Sequence, residues 1–271
     1  MTLVDGMPAG EVSLADRGLN YGDGVFETLR LHVGAVPLLA RHVARLAAGC
    51  ERLGIRGVDG KAVAEDVRRV AAGGGEGVIK VIVTRGDGGR GYAPPEAPLA
   101  RRIVRAHPLP ALPEGPVEVG ICRTPISRNA VLAGIKHLSR LEQVLAAAEV
   151  AGAGWFDGLM ADEEGRVAEA TRHNLFLVRS GRLLTPALEH FGVAGIVRGM
   201  VIETAPQLGL EVEEGILGMS DLAEADEAFL TNSVAGLVPV GRLGGRALVP
   251  GQVTARVAAG LRAAGVTWLA G

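Results

Sequence analysis

The 271-residue sequence is poor in lysine, in cysteine and in long apolar runs. Only three of its 28 basic residues are lysines (Lys61, Lys80 and Lys136), so chemistry that needs a lysine amine has three candidates. The two cysteines, Cys50 and Cys122, are too few for a disulfide framework or a cysteine-rich metal site. No run approaches the roughly 18 apolar residues of a membrane span, and the first residues lack the apolar core of a signal peptide. With a net charge of −2, the sequence predicts a cytoplasmic protein without nucleic-acid or membrane partners.

Breaker residues divide the chain into two parts. Four prolines within residues 108–116 predict a stiff, extended linker, because proline fits neither a helix interior nor a central strand. The linker separates a small N-terminal domain, 1–107, from a larger C-terminal domain, 117–271. Predicted strands occur in pairs as often as they alternate with helices, which favours an α+β fold over a doubly wound parallel sheet. We find no dinucleotide-binding glycine fingerprint.

Apolar periodicity and turn residues locate the individual elements. Helices are predicted at 38–53, 61–72, 138–151, 195–208 and 252–264. Strands are predicted at 3–5, 11–13, 25–33, 78–84, 101–105, 117–122, 158–160, 166–169, 174–178, 182–185, 226–230 and 237–240. The first two strands form a predicted hairpin.

The surroundings of the three lysines separate them. Lys61 opens an exposed helix with Glu65 four residues on, which is typical of a solvated surface. Lys80 lies mid-strand among β-branched residues, so its stem is expected over a sheet face with the amine directed outward. Lys136 lies between a loop and an amphipathic helix, from where its amine could enter a cleft. Desolvation there would lower the pKa of the amine towards neutrality, as Schiff-base chemistry needs; a surface lysine is the alternative.

Three further features lie downstream of Lys136. Glu169 stands at a strand end, where a carboxylate could keep a pyridinium nitrogen protonated. Residues 192–198 open a helix whose free N–H groups could hold a phosphate, and residues 231–233 end a strand with polar side chains. Each feature alone is also explained by local turn chemistry. Together they supply an amine, an acid and a phosphate cup, the parts of a pyridoxal phosphate site.

Six segments resemble the fold-type IV pyridoxal-phosphate enzymes in order and spacing. They are LADRGLNYGDGVFETLR at 14–30, HVARL at 42–46, GIKHLSRLEQV at 134–144, EATRHNLF at 169–176, GVAGIVR at 192–198 and TNSVAGLVPV at 231–240. This group includes branched-chain aminotransferases, D-amino-acid aminotransferases and aminodeoxychorismate lyases. The resemblance implies a two-domain α+β fold, a small N-terminal α/β domain with a larger cofactor-binding C-terminal domain, and a homodimer.

The resemblance also implies roles for single residues. Lys136 would form the Schiff base with pyridoxal 5′-phosphate and act as the catalytic base, and Glu169 would face the pyridine nitrogen. Binding of the cofactor phosphate would fall to Arg45, to the backbone amides of Ile196 and Val197, and to Asn232 and Ser233. We assign no role to His173, which is expected to be buried and hydrogen-bonded. No metal is expected.

Two segments resemble the aminodeoxychorismate lyases in particular: GIKHLSRLEQVL, and VIVTRGDGGRGY at 81–92. Branched-chain aminotransferases usually have tyrosine where Leu141 stands, and D-amino-acid aminotransferases usually have tyrosine in place of Phe26. The resemblance implies elimination of pyruvate from 4-amino-4-deoxychorismate, giving 4-aminobenzoate for folate biosynthesis. The substrate carboxylates would need cationic or polar partners, for which the candidates are Arg85, Arg90, Tyr92 and Thr28.

Two other functions stay open on the sequence alone. A fold-type IV aminotransferase would share the cofactor and nearly all of these residues. A non-catalytic binding protein that kept the fold would bind no cofactor. For the 81–92 segment, a flexible connection with solvated arginines is the alternative to a substrate-binding loop.

Overall fold

The computed structural model describes residues 1–269, which form two compact units. The N-terminal unit consists of Met1–Ala111 and a short later segment, Ile135–Ser139. Its elements are β1 (Thr2–Val4), β2 (Met7–Pro8), α1 (Arg17–Tyr21), β3 (Gly24–Leu31), α2 (Leu39–Arg52), α3 (Gly60–Ala71), β4 (Gly77–Thr84) and β5 (Arg101–His107).

The N-terminal unit is built on a five-stranded antiparallel sheet with the order β2-β1-β5-β4-β3. Because successive side chains of a strand alternate between faces, β3 directs Val25, Leu29 and Leu31 to one side. There they join a buried cluster with α2 and α3 residues such as Leu46 and Val67. The opposite face of β3 carries Phe26 and Thr28, two of the side chains of the site described below.

The C-terminal unit consists of Leu112–Gly134 and the chain from Arg140 onward. Its elements are β6 (Val117–Ile121), α4 (Leu141–Ala153), β7 (Asp157–Ala161), β8 (Val167–Ala170), β9 (Asn174–Arg179), β10 (Arg182–Pro186), α5 (Ile196–Thr204), a 3-10 turn (Ala205–Leu208), β11 (Val212–Gly215), α6 (Met219–Glu224), β12 (Glu227–Asn232), β13 (Gly236–Leu243), β14 (Arg246–Ala247) and α7 (Gln252–Ala263).

A nine-stranded mixed sheet forms the C-terminal unit, in the order β11-β10-β9-β12-β13-β6-β7-β8 with β14 paired to β13. The β10–β11, β13–β6 and β6–β7 pairs are parallel and the other pairs are antiparallel. Its central strands are buried, and the rings of Phe176 and Phe229 stack with centroids 5.0 Å apart. The predicted α+β class is confirmed.

Most predicted elements are present within a few residues, and the differences have local causes. The first hairpin closes on β2 rather than on residues 11–13, because Asp5 and Gly6 adopt left-handed conformations that permit a two-residue turn. The helix predicted at 195–208 ends at Thr204 and continues as a 3-10 turn that contains Pro206, which has no N–H for an α-helical bond. Five short elements were not predicted: α1, β2, β11, α6 and β14.

The segment with Lys136 groups with the N-terminal unit although the chain on both sides of it belongs to the C-terminal unit. The predicted division into 1–107, 108–116 and 117–271 contains no such crossing. None of the helices in residues 1–269 has the length and apolar character that crossing a bilayer requires.

Candidate active site

The Lys136 segment lies along the free edge of β3. The Phe26 N–H donates to the Lys136 carbonyl at 2.9 Å, and the Leu138 N–H donates to the Gly24 carbonyl at 2.9 Å. The fit is close, since a Cβ on Gly24 would stand 2.7 Å from Leu138 Cδ1 and 2.4 Å from the Val83 carbonyl oxygen. Glycine is therefore required at position 24. The backbone of Lys136 is fixed by these bonds independently of its side chain.

Two of the three lysine amines lie over one aromatic ring. The Nζ atom of Lys136 is 4.4 Å from the centroid of Phe26, and the Nζ atom of Lys80 is 5.1 Å from the same centroid. A cation over a ring face is attracted by its quadrupole. The sequence predicted an outward-directed amine for Lys80 and missed this proximity. The two lysines reach one ring because β4 pairs with one edge of β3 and the Lys136 segment with the other.

Residues around Lys80 give this sheet face a positive character. Thr28 on β3 and Arg105 on β5 stand directly opposite Lys80 on the neighbouring strands, so the three side chains share a face. Nearby, the pKa of His107 is lowered by its burial and by the charges of Arg105 and Lys80. This face would therefore attract an anionic ligand.

Glu27 holds the side chain of Arg45 on the face of β3 opposite to Phe26 and Thr28. Its carboxylate accepts from Arg45 Nε at 2.7 Å and Nη2 at 2.5 Å, and from His42 Nδ1 at 2.6 Å. Burial acts to raise the pKa of Glu27, but the hydrogen bonds and charges of His42 and Arg45 lower it to about 2. Burial also acts to lower the pKa of His42, against the raising effect of Glu27, and the net direction is downward. The guanidinium of Arg45 is thus held in one orientation by a two-point ion pair.

The charge on Glu27 makes a testable contribution to stability. Its folded-state pKa of about 2 lies below the ordinary 4.5, so the contribution is complete above pH 4.5 and is lost as the pH falls towards 2. We expect Glu27→Gln to lower the free energy of unfolding at neutral pH, and the gap to wild type to narrow at about pH 3.5. Urea unfolding at both pH values measures this. An equal gap at the two pH values would contradict the assignment.

Arg85, one of the predicted substrate contacts, is engaged with protein groups instead. Its Nε and Nη2 donate to Asp23 at 2.7 and 2.9 Å, and Nη1 and Nη2 donate to the carbonyls of Gly54 and Leu53, each at 2.8 Å. Burial acts to raise the pKa of Asp23, but Arg85 and Arg17 lower it. This geometry favours a structural role for Arg85. The side chains of Arg90 and Tyr92, the other candidates from the 81–92 segment, are exposed.

In the C-terminal unit, Glu169 lies on β8 with 5% of its surface exposed. Its Oε2 atom accepts from the Val193 N–H at 2.8 Å and from Asn174 Nδ2 at 3.3 Å. The same Asn174 amide donates to the Val193 carbonyl at 2.9 Å. These bonds hold the carboxylate in one position. The sequence singled out Glu169 but not the amide that holds it.

The predicted phosphate cup is the start of α5. Gly195 is the N-cap and offers no side chain to the first N–H groups of the helix, those near Ile196 and Val197. A Cβ on Gly195 would meet Asn174 Oδ1 at 1.9 Å, so glycine is required there. Asn232 closes the turn that follows β12. Its Oδ1 accepts from the N–H groups of Val234 and Ala235, the two residues after Ser233, at 2.9 and 2.7 Å.

Asp157 is a buried residue that the sequence analysis missed. Its carboxylate accepts from the Thr171 hydroxyl and the His173 Nδ1, each at 2.6 Å, and from the N–H groups of Thr171 and Gly158. Burial acts to raise the pKa of Asp157, but these partners lower it. The network fixes the turn that follows Glu169. It also confirms the prediction that His173 is buried and hydrogen-bonded. An aspartate ahead of an apolar strand carries no distinctive sequence signal.

The chain belongs to the amino-transferase class IV family, whose model matches residues 24–243. It is 36% identical over 245 residues to an aminodeoxychorismate lyase of Vibrio harveyi, covering 89% of this chain and 90% of that one. It is 34% identical over 253 residues to a putative branched-chain-amino-acid aminotransferase of Methanocaldococcus jannaschii, covering 90% and 86%. The solved 4-amino-4-deoxychorismate lyase of Pseudomonas aeruginosa superposes with a TM-score of 0.91 at 45% identity, over 97% of this chain and 98% of that one.

Proposed function

We propose that this protein is a pyridoxal-phosphate-dependent lyase that removes pyruvate from 4-amino-4-deoxychorismate and releases 4-aminobenzoate, a folate precursor. The observation that carries the proposal is the pair of amines over the Phe26 ring, on a positively charged sheet face. One amine suits the cofactor and base chemistry of this family, and the other suits a substrate carboxylate. The likeness to two lyases supports the same reaction.

The residues present fit pyridoxal 5′-phosphate, the cofactor of this family. Glu169 is a buried carboxyl group held in place by the Val193 N–H, and a carboxylate is the partner that the ring nitrogen requires. The glycine-capped start of α5 suits a phosphate, as does a guanidinium held in one orientation at Arg45. We propose that Ile196 and Val197 bind the phosphate through their amides, with Asn232 and Ser233 completing the cup.

When bound, the cofactor supplies an electron sink for the negative charge that develops at the substrate carbon bearing the amino group. The Lys136 amine takes the proton from that carbon, C4, as general base. Glu169 would face the ring nitrogen of the bound cofactor and keep it protonated. The bond from C3 to the enolpyruvyl oxygen breaks, and the ring left behind is the aromatic 4-aminobenzoate. The enolpyruvate released takes up one proton on its methylene carbon and becomes pyruvate. Atoms balance without added water or oxidant.

The substrate carries two carboxylates, and the structure changes the set of groups proposed to bind them. Lys80 joins the set because its amine lies beside the same ring as Lys136. Thr28, directly opposite Lys80, stays in it, as do Arg90 and Tyr92. Arg85 leaves it, because its donors already serve protein acceptors.

The second candidate is an aminotransferase of the same family, which the likeness to the Methanocaldococcus protein supports. Both candidates need Lys136 and Glu169, so the products distinguish them. The purified protein incubated with aminodeoxychorismate should release 4-aminobenzoate and pyruvate in equal amounts. Amino transfer to 2-oxoglutarate without 4-aminobenzoate would favour the aminotransferase. A cytoplasmic location stays a prediction of the sequence.

We propose further that the protein is a homodimer. The helix α4 buries Ala146 and Val150 but exposes Leu141, Val144 and Leu145, with 70%, 62% and 52% of their surfaces accessible. These positions are spaced i, i+3 and i+4, so they form one apolar stripe on the solvent side of the helix. A stripe of this kind suits burial against a second copy of the chain.

Changing the stripe should change the oligomeric state. We expect Val144→Glu to shift the protein from dimer to monomer, because a buried carboxylate without a partner opposes association. The matched control is Val249→Glu, also in the C-terminal unit and 80% exposed but off this stripe. Light scattering coupled to size-exclusion chromatography measures both. A dimer that survives Val144→Glu at micromolar concentration would place the interface elsewhere.

A further inference from the structure

One buried arginine, Arg17, holds the Gly-rich loop, which we define as residues 86–93. Its Nη2 donates to the Tyr92 carbonyl at 2.7 Å, and its Nη1 lies 3.3 and 3.2 Å from the carbonyls of Gly91 and Ala93. The Arg17 side chain is 4% exposed. One guanidinium therefore bonds three consecutive carbonyl groups of a loop that has no helix or strand of its own.

The other contacts of Arg17 anchor it to the rest of the N-terminal unit. Its Nε donates to Asp23 at 2.8 Å, the carboxylate that also binds Arg85. Its backbone N–H donates to the Gly86 carbonyl at 2.9 Å, so the loop is tied to it at both ends. Its guanidinium lies 4.9 Å from the ring of Tyr21, which meets the Tyr92 ring edge-on at 5.6 Å.

The Gly-rich loop packs closely against the Arg17 side chain, which holds it in one conformation. Gly88 lies against the Arg17 side chain, where an added Cβ would stand 2.7 Å from Arg17 Cδ. Four glycines in eight residues make the free loop rich in accessible conformations, so ordering it costs conformational entropy. The charge-assisted bonds from Arg17 offset that cost. Lysine could not replace them, because an ammonium lacks the planar fork that reaches several carbonyls at once.

We infer that Arg17 is a positioning residue for substrate recognition: it fixes the Gly-rich loop so that Arg90 and Tyr92 are presented in one place. This inference rests on the proposed function, in which those two side chains meet the substrate. The Arg17 side chain is buried, and its guanidinium donates to the loop carbonyls and to Asp23. It acts on binding through the loop, which distinguishes it from Lys136 and Glu169, whose loss affects the chemistry.

The test is Arg17→Lys, read in two ways. Limited trypsin digestion of the cofactor-bound protein, with the cut mapped by mass spectrometry, should show cleavage after Arg90 at least about tenfold faster than in wild type. In the lyase assay, KM for aminodeoxychorismate should rise about tenfold with kcat nearly unchanged. The visible absorption of the bound cofactor should not change.

Gly88→Val disturbs the same contact from the loop side and keeps the test decisive if Arg17→Lys does not fold. It should give the same faster cleavage and the same rise in KM. Unchanged cleavage and KM in the folded variants would overturn the inference. A fall in kcat and in cofactor absorption that accompanies the rise in KM would overturn it too, since that pattern indicates general unfolding. The digestion needs no substrate, so it stands even if wild-type protein shows no lyase activity.

Discussion

Lys136→Ala should abolish lyase activity, with a loss of at least about a thousandfold in kcat, because the variant has no amine to bind the cofactor covalently or to take the C4 proton. The visible absorption of the bound cofactor should disappear with it. The fold should survive, since the Lys136 segment is held to β3 by its backbone carbonyl and by Leu138, not by the lysine side chain. Absorption spectra and circular dichroism measure the two effects.

The other lysines provide matched controls. Lys61→Ala, at an exposed position on α3, should leave activity and spectrum unchanged. Lys80→Ala should keep the cofactor absorption but raise KM about tenfold, because it removes a cation proposed to bind a carboxylate. If the absorption survived in Lys136→Ala and vanished in Lys80→Ala, the roles of the two amines over Phe26 would be reversed.

Glu169→Gln should lower kcat by about a hundredfold or more while the cofactor still binds. The amide is neutral and cannot keep the ring nitrogen protonated, so the electron sink is weakened. The shape is retained, because the Gln carbonyl oxygen can still accept from the Val193 N–H and from Asn174. Steady-state kinetics and the cofactor spectrum, taken on the same sample, measure the result.

Glu169→Asp is the companion variant. It keeps the charge but shortens the side chain, so it should recover part of the activity that the amide loses. A Glu169→Gln enzyme with wild-type kcat would show that the carboxylate serves the fold alone. In that case Asp157, the other buried carboxylate of the network around this turn, would be the next acid to test.

The sequence was sufficient for features that local patterns encode. The strands β3 and β4 and the helices α2 and α3 follow from apolar periodicity, and their observed bounds differ from the predicted ones by one or two residues. The choice of Lys136 among three lysines followed from its neighbours and from the resemblance. The requirement for glycine at 24 was not predicted, because it comes from the approach of Leu138 and the Val83 carbonyl.

Features that depend on distant parts of the chain were not predictable. Lys80 and Lys136 are 56 positions apart, and their amines meet at Phe26 because β3 pairs with β4 on one edge and with the Lys136 segment on the other. The network of Asp157 and His173 joins the starts of two strands. Arg85 was predicted to contact substrate because its carboxylate partner could not be identified from the sequence. That partner, Asp23, lies 62 positions away in the chain. Such pairings are set by tertiary packing, which a single sequence does not display.

The central claim is that the two amines over Phe26 serve elimination rather than amino transfer. The direct measurement is a product balance for the cofactor-bound protein with aminodeoxychorismate, with and without 2-oxoglutarate, quantifying 4-aminobenzoate, pyruvate and glutamate together. The account predicts equal amounts of 4-aminobenzoate and pyruvate, unaffected by 2-oxoglutarate, and no release by Lys136→Ala. Glutamate formed in place of 4-aminobenzoate would contradict it.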